Sequence, residues 1–223
     1  MTMPDLAASL NAYFGFDTFR AGQEEAIQSL IDKNHTLAIM PTGAGKSLIY
    51  QFAALQLGGL TLVISPLIAL MKDQVDALNR RGIPATFINS AIPISEQQQR
   101  LSLLSQGKFR LVYVAPERLR NVDFLRALQP LTVSLLAVDE AHCVSEWGHD
   151  FRPDYLHIAE ARRKLGNPLT VALTATVSPI MRLWLHLTQR RAAHGRARLR
   201  LSSTSGFPCL CLSMATCQKA TNS

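Results

Sequence analysis

The sequence predicts an α/β fold, in which a parallel sheet is covered by helices on both faces. Short apolar runs alternate with longer stretches of helical periodicity. A loop that contains glycine joins one such run to a helix, and another run ends in two adjacent carboxylates. With 223 residues, of which 48% are apolar and 17% charged, the chain is long enough for one packed domain.

The predicted strands lie at residues 36–40, 60–65, 86–89, 111–115, 135–139 and 170–174. The predicted helices lie at residues 22–32, 46–57, 68–81, 95–106, 122–128 and 154–165. The repeated order of strand, helix and strand implies right-handed crossovers, and it places functional loops at the carboxyl ends of the strands.

The last part of the chain differs in composition from the rest. Residues 1–176 contain 16 basic and 16 acidic side chains, so the net charge of +7 belongs to residues 177–223, which contain no Asp or Glu. Residues 190–223 lack periodicity and are expected to be disordered. We therefore expect a lobe at 1–176 and a basic tail at 177–223. A shifted reading frame would explain this change, and the other frames of the parent DNA test that hypothesis.

Composition also argues against several classes of protein. No apolar run approaches 18 residues and no leader pattern opens the chain, so we expect a cytoplasmic protein with no membrane partner. Cys143 stands alone, and Cys209, Cys211 and Cys217 have no nearby histidine at metal spacing. We therefore expect neither a disulfide framework nor a zinc site.

Residues 41–47 form a glycine loop between a predicted strand and a predicted helix. Glycines allow backbone angles that turn successive N–H groups toward an anion, and the helix adds the positive end of its dipole. Lys46 would reach the outer phosphates and Ser47 would bind Mg²⁺, which indicates a site for ATP and Mg²⁺. The alternative is a glycine turn with a solvated lysine. The candidate nucleotide-binding residues here are Thr42, Gly43, Ala44, Gly45, Lys46 and Ser47.

A second motif follows the predicted strand that ends near residue 138. Asp139 is placed to bind Mg²⁺ and Glu140 to orient the attacking water or take its proton, so the candidate catalytic residues are these two and Lys46. His142 has three open roles: sensing the γ-phosphate, linking to a neighbouring loop, or an ordinary hydrogen-bonded histidine.

Five further segments resemble the RecQ family of DNA helicases. They are residues 14–23, 65–74, 113–119, 143–153 and 174–176. The resemblance spans residues 11–176 and implies a RecA-like, P-loop NTPase lobe of an ATP-dependent DNA helicase. It further implies 3′ to 5′ polarity, a role in DNA replication, recombination and repair, and association with the nucleoid if the source is bacterial.

The resemblance also assigns roles to residues before the glycine loop. Phe16 would stack on adenine, Gln23 would pair with the edge of the base, and Arg20 would support the ring. An amide fits this role because it carries one donor and one acceptor. We expect Phe14 and Phe19 to belong to the core.

By the same resemblance, the remaining segments would contact DNA or couple DNA binding to ATP hydrolysis. The alternatives are a surface position for Lys72, a salt bridge within the domain for Arg118, and burial in the core for Trp147 and Phe151. The candidate residues for DNA contact or coupling are Ser65, Lys72, Arg118, Trp147, His149, Phe151, Arg152, Thr174 and Thr176.

Helicases of this kind hydrolyse ATP between two lobes, and the second lobe supplies arginines that stabilise the transferred phosphoryl group. No second lobe is found in this sequence, so we expect an ATP-binding lobe that does not unwind DNA alone. Its partner would be single-stranded or junction DNA. The competing hypotheses are a DNA-binding or protein-interaction module and a nonfunctional truncated fragment.

Overall fold

The computed structural model describes residues 6–144, 154, 157–175, 197–202 and 209–214. Six strands form the parallel part of the sheet: β1 (His35–Ile39), β2 (Leu60–Ile64), β3 (Ala85–Ile88), β4 (Leu111–Val114), β5 (Val133–Val138) and β6 (Leu169–Thr174). The α-helices within these described ranges are α1 (Leu6–Phe14), α2 (Gln23–Ile31), α3 (Lys46–Leu57), α4 (Ile68–Arg80), α5 (Ile94–Ser105), α6 (Val122–Leu128) and α7 (Ile158–Lys164). Short 3-10 helices span Pro116–Arg120 and Ala141–Val144.

The six strands pair in the order β3, β4, β2, β5, β6, β1, and each neighbouring pair is parallel. Every residue of the central strand β2 is buried. A strand can be buried throughout only where other elements cover both faces of the sheet. The predicted fold class is therefore confirmed.

Two apolar cores lie on opposite faces of this sheet. One packs against helices α1 to α4 and the other against α5 to α7. Helix α4 shows how the sequence produces this arrangement, because its buried residues Met71, Val75 and Leu78 recur at helical spacing. Each such aliphatic side chain contributes about 1.5–3 kcal/mol on burial. The helices thus cover both faces of the sheet, and the loops that carry the candidate site residues follow the ends of its strands.

Two further strands come from the basic tail. Strand β8 (Cys209–Met214) pairs antiparallel with β1, and β7 (Ala197–Ser202) pairs antiparallel with β8. The prediction of disorder across residues 190–223 does not hold for these two segments. Both alternate apolar and polar or small residues in sequence, which suits a strand, and the edge of β1 offers unpaired backbone groups.

The other predicted elements are found close to their predicted bounds. Helix α7 differs most, since it begins at Ile158 whereas the predicted helix begins at residue 154. Helix α1 was not predicted, because its nine residues carry no acidic residue in the first turn and no basic residue in the last. Within the described ranges, no helix is both long enough and apolar enough to cross a membrane.

Candidate nucleotide site

The loop between β1 and α3 has the geometry of a phosphate-binding loop. Its start is fixed by a hydrogen bond of 2.9 Å from the N–H of Met40 to the carbonyl of Thr174. Gly43 and Gly45 have φ angles of 82° and 76°, a region that favours glycine. Helix α3 begins at Lys46, and the first turn of a helix leaves N–H groups without intrahelical partners. These backbone donors fit a phosphate group.

Lys46 is buried within this loop. Its Nζ donates hydrogen bonds to the carbonyls of Met40 at 3.3 Å and Pro41 at 3.4 Å. Both bonds are long and end on neutral oxygens, whereas a phosphate offers shorter, charge-assisted bonds. We therefore expect a bound phosphate to replace these carbonyls. Thr42 is exposed, and Ser47 is half-buried at the second position of α3.

Arg20 and Gln23 both bind the backbone of the loop. Arg20 Nη1 donates to the carbonyl of Gly43 at 2.7 Å. Gln23 Nε2 donates to the carbonyls of Ala44 at 3.1 Å and Gly45 at 3.0 Å, and its Oε1 accepts from the N–H of Arg20 at 2.9 Å. The side chain of Gln23 is thus fully engaged and buried. The contact of Gln23 with adenine stays a prediction. For this contact, the Gln23 amide must either bind adenine in addition to the loop backbone or break its hydrogen bonds to the loop.

The aromatic residues before the loop divide into two groups. Phe14 and Phe19 pack on Phe52, with ring centroids 6.2 Å and 5.4 Å apart. The predicted place of Phe14 in the core is confirmed, and Phe19 is half-buried against that core. Phe16 is 47% exposed, and an exposed aromatic ring suits the predicted stacking on a base.

Asp139 lies just past the end of β5, where its N–H continues the ladder by bonding to a carbonyl of β2. Its carboxylate accepts hydrogen bonds from the N–H of Glu140 at 3.0 Å and from Ser65 Oγ at 3.3 Å. Burial, and then the charge of Glu140, raise the pKa of Asp139, while these bonds and the Lys46 ammonium oppose the rise. Lys46 therefore faces the same site as Asp139. A buried carboxylate beside a phosphate loop suits Mg²⁺, which prefers oxygen ligands.

Glu140 has a backbone φ of 46°, which is uncommon for a residue with a side chain. Such strain is often found at functional sites. Its carboxylate lies 3.2 Å from His142 Nδ1, and that nitrogen lies 3.5 Å from the Thr174 hydroxyl. Of the three open roles for His142, the structure supports a link to a neighbouring loop, here the end of β6.

The predicted DNA contacts occupy different environments. Ser65 is 5% exposed, and its hydroxyl donates to Asp139 and so points toward the nucleotide site. Lys72 is exposed on α4 and pairs with Asp76 at 2.6 Å. Arg118 is half-buried in the 3-10 helix after β4 and forms no ion pair with any residue that the structure describes. A surface position for Lys72 is confirmed, while the DNA contacts of all three stay predictions.

Five candidates cannot be placed. Trp147, His149, Phe151, Arg152 and Thr176 lie outside the described residues. Their predicted roles in binding DNA or coupling it to hydrolysis stay predictions.

Sequence reasoning missed two residues near the site, Tyr50 and Tyr113. Both are buried, and the charge of Asp139 contributes to a raised pKa in each. The available signal was the position of Tyr50, which follows Lys46 by four residues and so lies on the same side of α3.

A sequence profile for the DEAD/DEAH box helicase family matches residues 20–183, which include the loop, both carboxylates and the strand that ends at Thr174. The chain belongs to the DEAD/DEAH box helicase family. Within this family it is 52% identical over 169 residues to the ATP-dependent DNA helicase RecQ of Bacillus subtilis, covering 75% of this chain and 29% of that protein. It is 44% identical over 180 residues to the mouse ATP-dependent DNA helicase Q5, covering 77% of this chain and 18% of that protein.

Solved helicases share the fold of this DEAD/DEAH box lobe. The DUF1998 helicase MrfA bound to DNA superposes with a TM-score of 0.67 at 20% identity, covering 85% of this chain and 29% of that one. A hypothetical ATP-dependent RNA helicase from Sulfolobus tokodaii gives a TM-score of 0.64 at 19% identity, covering 86% of this chain and 56% of that one. The chain spans less than a third of the length of the RecQ relative described above.

Proposed function

We propose that this chain is the ATP-binding lobe of a RecQ-like DNA helicase, and that it binds ATP together with Mg²⁺. The observation that carries the proposal is the convergence of Lys46, Asp139 and Glu140 at the carboxyl ends of β1 and β5. The family uses nucleotide, and the relatives at about half identity are named ATP-dependent DNA helicases.

We assign the following roles to residues of this chain. The N–H groups of the loop and the Lys46 ammonium bind the outer phosphates, and Ser47 and Asp139 hold the metal. Bound Mg²⁺ supplies positive charge that offsets the charge on the phosphates. Glu140 orients the attacking water and accepts its proton, and His142 Nδ1, 3.2 Å away, restricts the direction of the carboxylate.

We infer that single-stranded or junction DNA lies across the loops that follow β2 and β4. Lys72 on α4 and Arg118 after β4 supply positive charge near these loops, and the segment that contains Trp147, Phe151 and Arg152 follows the catalytic carboxylates directly in sequence. The 3′ to 5′ polarity belongs to this same proposal, through the resemblance to RecQ enzymes.

A second candidate is a nucleotide-dependent DNA-binding module without turnover. The geometry of the loop fits it, because backbone N–H groups and Lys46 bind nucleotide whether or not hydrolysis follows. In this case the site binds nucleotide but lacks groups that stabilise the transition state.

Turnover of ATP by the purified chain, with and without single-stranded DNA, separates the two candidates. Lys46→Ala removes charge-assisted bonds to phosphate, so we expect nucleotide affinity to fall by at least about tenfold. Turnover that DNA stimulates and Lys46→Ala abolishes supports the helicase lobe. Binding that depends on Lys46 without turnover supports the second candidate, and binding that ignores the substitution contradicts both.

A further inference from the structure

A hydrogen-bonded network of polar side chains lies in the core beside the nucleotide site. Gln51 Nε2 donates to the Tyr113 hydroxyl at 3.0 Å and to Gln74 Oε1 at 2.8 Å. The Tyr50 and Tyr113 rings pack edge to face with centroids 6.1 Å apart, and their hydroxyls interact. We refer to Tyr50, Gln51, Gln74 and Tyr113 as the tyrosine–glutamine network.

One end of this network lies on the same face of the sheet as Asp139. Val63 of β2 pairs with Tyr113 on one side and with Ala137 on the other. Asp139 follows Ala137 by two residues and therefore projects from the same face of the sheet. The charge of Asp139 reaches both tyrosines: burial is the main cause of their raised pKa values, about 12 for Tyr113, and Asp139 adds to the rise in each.

The other end of the network lies on helix α4. Gln74 belongs to this helix, which begins at Ile68 and carries the exposed Lys72. Ser65, just before α4, bonds directly to Asp139. Ser65 therefore links the start of α4 directly to the carboxylate that we assign to the metal, and the network links α4 to the tyrosines that sense the charge of this carboxylate.

The chemistry of the network favours a role beyond packing. Tyr50, Gln51 and Tyr113 are at most 8% exposed, and burying polar groups costs free energy unless they are hydrogen-bonded. The Gln51 amide directs one N–H to each of its two partners, so its position depends on both β4 and α4. A displacement of α4 would therefore move Gln51 and the Tyr113 hydroxyl, which lies on the same face of the sheet as Asp139.

We propose that Tyr50, Gln51, Gln74 and Tyr113 are positioning residues that couple nucleic acid bound at α4 to nucleotide bound at Asp139. This proposal rests on the proposed function, because it needs both ligands to bind the lobe. It adds a specific path between the two sites.

Coupling is measured as the ratio of nucleotide affinities with and without DNA. The whole chain is titrated with a fluorescent, nonhydrolysable ATP analogue and Mg²⁺, in the presence and absence of a single-stranded oligothymidine. Tyr113→Phe removes one hydroxyl, and Gln74→Met breaks the link to α4 at a half-buried site. Thr36→Val is the matched control, since it removes a buried hydroxyl that bonds to Ser29 away from the site.

We expect the wild-type chain to show a coupling of about fivefold or more, and both network variants to fall within about twofold of unity. In both network variants, the fold-change in nucleotide affinity without DNA, relative to the wild-type chain, should be smaller than the fold-change in coupling. Thr36→Val should keep the wild-type coupling, even if its melting temperature falls. The same factors should appear when DNA affinity is measured with and without nucleotide, because coupling is reciprocal.

Several results would overturn the proposal. They are unchanged coupling in Gln74→Met, an equal loss in Thr36→Val, or no coupling in the wild-type chain that still binds both ligands. If Tyr113→Phe does not fold, Gln74→Met decides the question. A failure of the proposed function is recognised separately, as nucleotide binding that is absent or indifferent to Lys46→Ala.

Discussion

At the scale of single residues, Gly45 is a loop position with little room for a side chain. Its φ of +76° disfavours any side chain, and a Cβ there would lie 2.7 Å from Gln23 Nε2. Gly45→Ala must therefore strain the backbone and displace the amide that holds the loop. We expect a loss of about 2 kcal/mol in the free energy of unfolding, together with weaker nucleotide binding. Urea denaturation and nucleotide titration measure both effects.

Gly43 provides the matched control for this prediction. Its φ of +82° imposes similar strain, but a Cβ would meet nothing within 4 Å. Gly43→Ala should therefore lose only about 1 kcal/mol, the cost of the backbone strain. Equal losses in the two variants would show that the contact with Gln23 contributes nothing to stability.

His35 makes the stability of the lobe depend on pH. Burial, and then the charge of Arg162, lower the pKa of His35 from 6.5 to about 4. Between these values the unfolded chain binds more protons than the folded chain, so stability is lost as the pH falls from 6.5 toward 4. The contribution of His35 to this loss is on the order of 3 kcal/mol.

Urea denaturation at several pH values checks this prediction against His35→Gln. Glutamine keeps an acceptor for the N–H of Thr170, which bonds to His35 Nδ1 at 3.0 Å, but does not titrate. We expect a shallower fall in stability between pH 6.5 and 4 for the variant. The raised pKa of Asp139 stabilises the folded chain as the pH falls, which opposes the effect of His35. Both chains contain Asp139, so its effect cancels when they are compared. Parallel curves for both chains would contradict the prediction.

The sequence predicts residues of the site best where a local motif fixes their chemistry. Lys46, Asp139 and Glu140 fall into this group, because a strand followed by a loop determines where each side chain lies. The bond from Ser65 to Asp139 joins residues far apart in the sequence, so periodicity carries no trace of it. The neighbours of Tyr50 in the sequence are mostly apolar and predict a position in the core. They give no sign that its hydroxyl belongs to a polar network.

At the scale of elements, the edge of β1 depends on the hairpin formed by β7 and β8. Without β8, the backbone groups of β1 on that side would have no strand partner, and an open edge promotes pairing between molecules. A chain that ends at residue 190 should therefore aggregate more readily than a chain that ends at residue 216, which keeps both strands. Light scattering at matched concentrations measures the difference. Equal scattering would show that the hairpin does not protect the edge.

The same hairpin shows where prediction of elements fails. The six parallel strands were predicted because apolar runs bounded by turn residues need no tertiary information. In residues 197–202 arginines alternate with leucines. That pattern alone suits a strand, but the basic composition of the whole tail outweighed it. A strand whose partner is an open sheet edge depends on long-range pairing, which composition cannot reveal.

At the scale of the whole molecule, charge is distributed unevenly between lobe and tail. Residues 1–176 are balanced, and the net charge of +7 belongs to the tail. Contacts with phosphates release counterions, so the affinity for single strands falls with salt by a slope of about 0.7 per contact. The tail should therefore bind DNA in a strongly salt-dependent way, while Lys72 and Arg118 act at fixed positions.

Two variants separate these contributions. Replacing Arg190, Arg191 and Lys219 with Gln leaves both hairpin strands intact in sequence and should reduce the slope by up to about two. Lys72→Gln should change the slope by less than one, but it should weaken the binding that depends on nucleotide. Salt titrations with and without a nonhydrolysable ATP analogue measure both effects. The tail substitutions could instead abolish the part of the DNA affinity that depends on nucleotide. In that case the lobe does not drive DNA binding, and the loops at the carboxyl ends of the strands are not the DNA site.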